Sequence, residues 1–349
     1  MRTFDLSDKI EKLFTPNMIN SISLIHEYKG QQSLYIESKR DVLTTLLDVA
    51  RIQSTEYSNK IEGIATSNRR IQKLINDKAI PKDRNEEEIA GYRDALEIIH
   101  ENYESIPVTP NYILQLHKIL YKYSATVGGK FKNADNFIEE TDSFGNKKIR
   151  FTPTSAVETP FAIEKLCESY NKEIKKGDYD PLLLIPIFIL DFLSIHPFSN
   201  GNGRMSRLLT LLLLYQNGYI VGKYISIEKL VENSKESYYA SLKKSSIGWH
   251  ENKNNYAFFV EYYLGIILRA YKDFSQRIEY MTNKKLTSKD RVYLIIKKNV
   301  GKISKKQISE LCPDISIGTI ERALNELLNL NYIEKTDSGK NTSYIIRSK

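Results

Sequence analysis

The chain has 349 residues and a formal net charge of +8, with 51 Lys and Arg set against 43 Asp and Glu. That length holds two or three domains with sizeable cores, and no apolar run reaches the roughly eighteen residues of a membrane span. Cys167 and Cys312 are too few and too far apart for a disulfide framework or a metal site.

Lysines are scattered over the whole chain, which reads as a solvated basic surface rather than a nucleic-acid patch. The 23 tyrosines, with sparse Gly and Pro, suit a helical protein with aromatic packing. Residues 1–8 lack a charged-then-apolar leader pattern, and with the cysteine usage this predicts a reducing cytoplasm.

Residues 1 to about 50 read as a helical entry segment with a short extended piece, Gln32 to Ile36. From Lys39 to Arg51 the spacing of Val42, Leu43, Leu46, Leu47 and Val49 is helical. The stretch Ser54-Thr55-Glu56-Tyr57-Ser58-Asn59-Lys60-Ile61-Glu62-Gly63-Ile64 follows. Ser58 and Glu62 stand four apart on one helical face, and Gly63 is a good terminator. Residues 86–101 form a helix with an acidic first turn, as the macrodipole prefers. Pro110 to Tyr123 forms another and includes His117. His26, His100, His117 and His250 have no ligand-like spacing and read as structural.

Between Gly128 and Pro160 the period changes. Asn136-Phe137-Ile138-Glu139-Glu140 and Lys147-Lys148-Ile149-Arg150-Phe151 flank Asp142 to Asn146, a hairpin signal. Leu182 to Leu193 is apolar nearly all round and predicts a buried helix, which Pro197 should stop at His196. The negative end of that helix would favour a protonated ring and make His196 a better base. Gly201 and Gly203 allow a tight turn, and a second apolar helix starts beyond it. The N-terminus of that helix is an anion site, where Arg204 and Arg207, three apart, can clamp one anion. A base and a phosphate cradle thus face each other across a loop, the outline of a phosphoryl- or nucleotidyl-transfer site.

After it, Ile225 to Leu230 leads to a helix at Ser234–Leu242 carrying Tyr238 and Tyr239, whose spacing fits core packing or a binding pocket equally. Residues 249–274 form a long aromatic helix. Lys284 to Ser288 marks a polar boundary, and the rest reads as three helices (288–298, 303–311, 320–328) with a hairpin. The hairpin strands, 332–335 and 342–346, flank a turn at Asp337 to Asn341. That pattern resembles a winged helix-turn-helix. Arg322 is the only positive charge of the third helix, beside Glu321 and Glu326, so DNA contact, protein contact and dimer support all stay open.

Residues 196–207, His-Pro-Phe-Ser-Asn-Gly-Asn-Gly-Arg-Met-Ser-Arg, are very similar to the Fic-family signature His-x-Phe-x-(Asp/Glu)-Gly-Asn-Gly-Arg-x-x-Arg. Only Asn200 departs from it, standing where the family has a carboxylate. The resemblance implies a mainly α fold: a Fic helical bundle with a β-hairpin flap, here followed by a winged-helix domain. Its implied division is an N-terminal region (1–109), a Fic core (110–283) and the C-terminal domain (284–349). It implies a protein adenylyltransferase that passes AMP from ATP to a Tyr, Ser or Thr hydroxyl of a protein target or of itself. In that reading His196 is the general base, and Gly201, Asn202 and Gly203 hold the α-phosphate. Arg204 contacts the β-phosphate and Arg207 the γ-phosphate, while Tyr238 and Tyr239 lie near the adenine. The flap residues Asn136, Phe137 and Ile138 would bind the target as an added strand. The segment Ser58 to Gly63 is similar to the family's inhibitory motif, whose Glu, here Glu62, pairs with the second arginine and blocks the γ-phosphate. The family's acidic residue binds Mg²⁺, so Asn200 should weaken metal dependence. Rival readings are a phosphotransferase with another donor, or a nucleotide-sensing regulator that binds DNA through residues 288–349. A homodimer is compatible with either.

Overall fold

The computed structural model describes all residues except 1, 5–6, 11–12, 39, 142–146, 283–285, 300, 337–341 and 348–349. The protein is mainly helical with a small antiparallel hairpin. The chain runs through α1 (Ser7–Ile10), α2 (Pro16–Ser38), α3 (Arg40–Ile61), α4 (Asn68–Asn76), α5 (Arg84–Asn102) and α6 (Pro110–Leu120). The hairpin β1 (Ile138–Thr141) and β2 (Lys147–Phe151) follows, then α7 (Thr159–Lys176), α8 (Pro181–Ile195) and α9 (Asn202–Gln216). Next come α10 (Ile227–Asn233), α11 (Lys235–Ser246) and α12 (Ala257–Thr282). The chain closes with α13 (Ser288–Lys298), β3 (Ile303–Ser304), α14 (Lys305–Leu311), α15 (Ile317–Asn329), β4 (Ile333–Lys335) and β5 (Ser343–Ile346). Contacts divide it into two units, Met1–Glu27 with Ala50–Ala270, and Tyr28–Val49 with Tyr271–Lys349.

The first unit is built around α8 and α9. Asp180 caps α8 by accepting from the Leu182 N–H at 2.8 Å, and Pro181 takes the first position, where a missing N–H costs nothing. Every residue from Leu182 to Phe192 is buried, and so is every residue from Arg204 to Tyr215 in α9. Helices apolar all round need neighbours on all sides, and α7 and α9 flank α8. The one carboxylate inside α8, Asp191, accepts from Trp249 Nε1 at 2.6 Å, Tyr256 Oη at 2.9 Å and Arg2 Nη2 at 3.1 Å. Three donors hold the charge there, since an unpaired buried carboxylate would be strongly destabilising. α5 lies so close to α6 that a β-carbon at Gly91 would run into the Leu120 carbonyl.

The second unit packs Val292, Ile295, Ile320, Leu324, Leu327, Ile333 and Tyr344 into one core. Its sheet has the order β3-β5-β4, all antiparallel. Capping boxes at Thr287–Asp290 and Ser304–Gln307 open α13 and α14.

Some elements differ from the sequence reading. Gln32–Ile36 is helical, part of α2, because the isolated β-rich run is overruled by the helix around it. Ile303 and Ser304 form a short strand paired with Tyr344 and Ser343, and Ser304 then caps α14, so that helix begins later. The aromatic helix starts at Ala257 rather than 249, after positive φ at Gly248 and Asn252, and it runs on to Thr282. The helix from Pro110 ends at Leu120, three residues early. The expected turns at Asp142–Asn146 and Asp337–Asn341 lie outside the described residues. Among the described residues no helix is long and apolar enough to cross a membrane.

Candidate functional site

The site forms where α8 ends and α9 begins. Pro197 ends α8, and His196 turns into the left-handed region (φ 52°, ψ 61°) while its N–H still donates to Phe192 at 2.9 Å. A non-glycine residue there is strained, and such residues cluster at functional sites. The ring Nδ1 lies 3.2 Å from the Leu193 carbonyl. A carbonyl can only accept, so Nδ1 carries the proton and Nε2 keeps its lone pair. Burial pulls the His196 pKa down to about 4; the Leu193 carbonyl opposes this, Lys132 and Arg150 reinforce it, and Glu62 opposes it. The helix end therefore does not produce the raised basicity expected from the macrodipole. Desolvation outweighs it, and the ring is neutral at physiological pH.

The loop between the helices is tied down from below. Phe198 is fully buried and stacks on His117 at 3.7 Å. Asn202 turns its side chain back on the loop, accepting from the Phe198 N–H at 2.9 Å and donating to its carbonyl at 2.7 Å. That amide thus serves the turn, and what α9 presents to an anion is its own first-turn backbone. Gly201 has φ 82°, and a β-carbon there would meet Tyr121 Oη at 2.9 Å. His117 accepts from the Gly129 N–H at 2.9 Å, and its Nε2 donates to the Asn200 carbonyl at 3.1 Å. The Asn200 side chain is exposed.

The two arginines part company. Arg204 is buried with Glu88 at 2.6 Å, Tyr121 Oη at 2.9 Å and Asn59 Oδ1 at 3.5 Å. A carboxylate from α5 holds it, so the pair does not converge on one anion. Arg207 faces α3 instead: Nε donates to Ser58 Oγ, and Nη2 to the Ser58 carbonyl and to Glu62 Oε1, all at 2.8 Å. Burial lowers the Arg207 pKa, but Glu62, Tyr238 and Tyr92 raise it more. Burial likewise raises Glu62, and Arg207 outweighs it, leaving the carboxyl below its usual range. Gly63, at φ 79°, ends the segment. The Glu62 carboxylate lies over Gly203, where a β-carbon would collide with it.

These groups open into a cleft of about 530 Å³. His196, Glu62, Gly203 and Arg207 line it together with Tyr238, Tyr239, Ile138 and Arg150. Tyr238 is buried and Tyr239 is 37% exposed. Of the three expected flap residues, Ile138 lines the cleft and Phe137 is 54% exposed. Asn136 instead donates to the Phe198 carbonyl at 3.1 Å and accepts from Lys132 Nζ at 2.8 Å. Lys132 also donates to the Ile195 carbonyl at 3.1 Å, capping α8 from outside its own element. Its pKa falls to about 8 through burial, opposed by Asp135. Lys132, Glu88, Tyr121 and Arg150 were missed in the sequence because they come from separate segments with no local spacing to mark them. Among the described residues no three His, Cys, Asp or Glu side chains cluster as a metal site.

The buried histidines set an acid limit. Burial lowers His100 to about 3 and His117 to about 4, alongside His196 at about 4. An unfolded chain would protonate these rings near pH 6.5. Between about pH 6.5 and 4 the unfolded state therefore binds more protons, and stability falls as pH falls. Each tenfold loss of proton affinity on folding is worth about 1.4 kcal/mol. The urea midpoint is expected to drop steadily between about pH 6.5 and 4.5, and a flat midpoint would mean the rings charge in the folded state.

Residues 107–214 match the Fic/DOC family. A protein of Ostreid herpesvirus 1 named as a ribonucleoside-diphosphate reductase small chain is 24% identical over 216 residues, 59% of this chain and 35% of its own length. A Fido domain-containing protein of Dictyostelium discoideum is 32% identical over 87 residues, 25% of this chain and 58% of its own. The chain thus spans about a third and about three-fifths of these two relatives. A solved Fic family protein from Desulfovibrio desulfuricans G20 shares the fold, with a TM-score of 0.62 at 20% identity over 96% of this chain and 97% of that one.

Proposed function

We propose, from the premise that residues 107–214 form a Fic/DOC domain, that this protein transfers AMP from ATP to a Tyr, Ser or Thr hydroxyl of a protein, itself included. The observation that carries the reading is the presence, in one cleft at the start of α9, of an imidazole with a free Nε2 lone pair and of Arg207. His196 Nε2 takes the acceptor hydroxyl proton as its oxygen bonds to the α-phosphorus; the bond to the bridging oxygen breaks and pyrophosphate leaves. The first-turn N–H groups of α9 would stabilise charge on the α-phosphoryl oxygens. Arg207 would take the γ-phosphate once Glu62 leaves it, since carboxylate and phosphate compete for the same guanidinium fork. A target segment would add to the β1–β2 hairpin as a further strand, bringing its hydroxyl over His196.

Asn200 is exposed, its carbonyl is engaged by His117, and it does not line the cleft. Its side chain thus offers the cleft no ligand, and Mg²⁺ would be held mainly by the substrate phosphates. With its side chain outside the cleft, Asn200→Asp is expected to leave the dependence of transfer on Mg²⁺ unchanged, read from a metal titration. A steeper titration would show that this position does face the ion.

The second unit is read as a winged helix-turn-helix with α15 as the recognition helix. Its exposed residues include Glu321, Arg322, Asn325 and Glu326, one cation against two carboxylates. Such a face suits protein contact better than duplex DNA, whose binding rests on phosphate neutralisation. Mass spectrometry of a protein incubated with ATP and the Glu62→Gly variant tests the main reading: an AMP adduct supports it, and a phosphate adduct replaces it with phosphotransfer.

A further inference from the structure

Arg150 sits at a break in the hairpin. Ile138 pairs with Phe151, but the next residue of β1, Glu139, pairs with Ile149, so Arg150 is an extra residue on β2 without a partner. In a regular strand neighbouring side chains point to opposite faces. Here Arg150 and Phe151, consecutive in sequence, both line the cleft, and a bulge is the device that re-aims a side chain this way.

The guanidinium so placed is uncompensated. Its Nε is buried without a hydrogen-bond partner, and no ion pair forms to it among the described residues. The carboxylate that acts on it electrostatically, Glu140, is already shared by Lys148 at 3.0 Å and Lys243 at 2.8 Å. A half-buried cation whose buried Nε–H has no acceptor calls for an anion. Its electrostatic neighbours, besides Glu140, include His196, Tyr238 and Tyr239. A nucleotide with its base at the tyrosines would lay its ribose between them and His196 and bring its reacting α-phosphate to His196, in the cleft that Arg150 also lines. Arg204, expected from the sequence to contact the β-phosphate, is held by Glu88.

We infer that the β-bulge on β2 presents Arg150 as a phosphate-binding residue for the nucleotide donor, supplying from the flap the second positive charge that Arg204 does not bring to the cleft. This rests on the proposed ATP-dependent reaction, but it is tested by binding alone. Titration calorimetry would compare ATP and adenosine on Glu62→Gly, Glu62→Gly/Arg150→Gln and Glu62→Gly/Arg150→Lys. Arg150→Gln should weaken ATP about 10- to 100-fold and leave adenosine unchanged, with Arg150→Lys recovering part of the loss. Retained adenosine binding certifies that the cleft is folded. Unchanged ATP affinity overturns the inference, as does an equal loss for adenosine. A raised KM for the protein target with ATP affinity intact overturns it too, assigning Arg150 to the target. If ATP binding depends on Arg150 but no AMP is transferred, the reaction assignment fails and this inference stands.

Discussion

His196→Ala is expected to cut AMP transfer from α-phosphate-labelled ATP by at least about 10²- to 10⁴-fold, the usual worth of a general base. The ring is held by its backbone as much as by its side chain. The left-handed turn at the end of α8 and the Leu193 carbonyl on Nδ1 leave Nε2 as the lone acceptor. Because burial keeps its pKa near 4, the ring is in the base form throughout the neutral range. The substitution leaves Arg207 and the start of α9 in place, so ATP affinity should change little while kcat collapses. His196→Asn is the sharper control, since its amide can donate to Leu193 but cannot take up a proton. Full labelling by either variant would remove His196 from the chemistry.

Glu62→Gly should move activity the other way, by about tenfold or more. Glu62 donates no proton and touches no reacting atom; it holds Arg207 together with Ser58 and lies over Gly203, at the mouth of the anion site. Removing it frees one charge-assisted hydrogen bond and the space it fills, worth about 1.5–3 kcal/mol in a buried setting. The side chain is a third exposed, which discounts that figure for solvent screening and favours the lower end. ATP affinity should rise with transfer, because both follow from opening the same guanidinium. A variant with wild-type affinity and rate would mean that α3 does not gate the cleft. Arg207→Ala in the Glu62→Gly background should then cancel the gain, which separates release of Arg207 from a general loosening of α3.

Much of the fold was legible. Apolar periodicity located α8 and α9, proline and glycine marked where they stop and start, and an acidic first turn marked α5. These are local signals: propensity, capping and burial pattern each act over one or two turns. The misreadings came where tertiary packing overrode local preference, as at Gln32–Ile36, or where a cap moved a boundary, as at Ser304.

The site divides along the same line. The order His196, Gly201, Gly203, Arg207 and the spacing of Ser58 and Glu62 were present in the amino-acid sequence, because loop chemistry and helix-face geometry are written in adjacent residues. Three things were decided only when distant segments met. Burial set the His196 pKa, against the helix-end effect. Glu88, far upstream of Arg204 in the chain, took that arginine out of the cleft. A one-residue slip in strand pairing turned Arg150 inward. Each depends on desolvation or on register between elements, quantities that exist only once the chain has packed against itself.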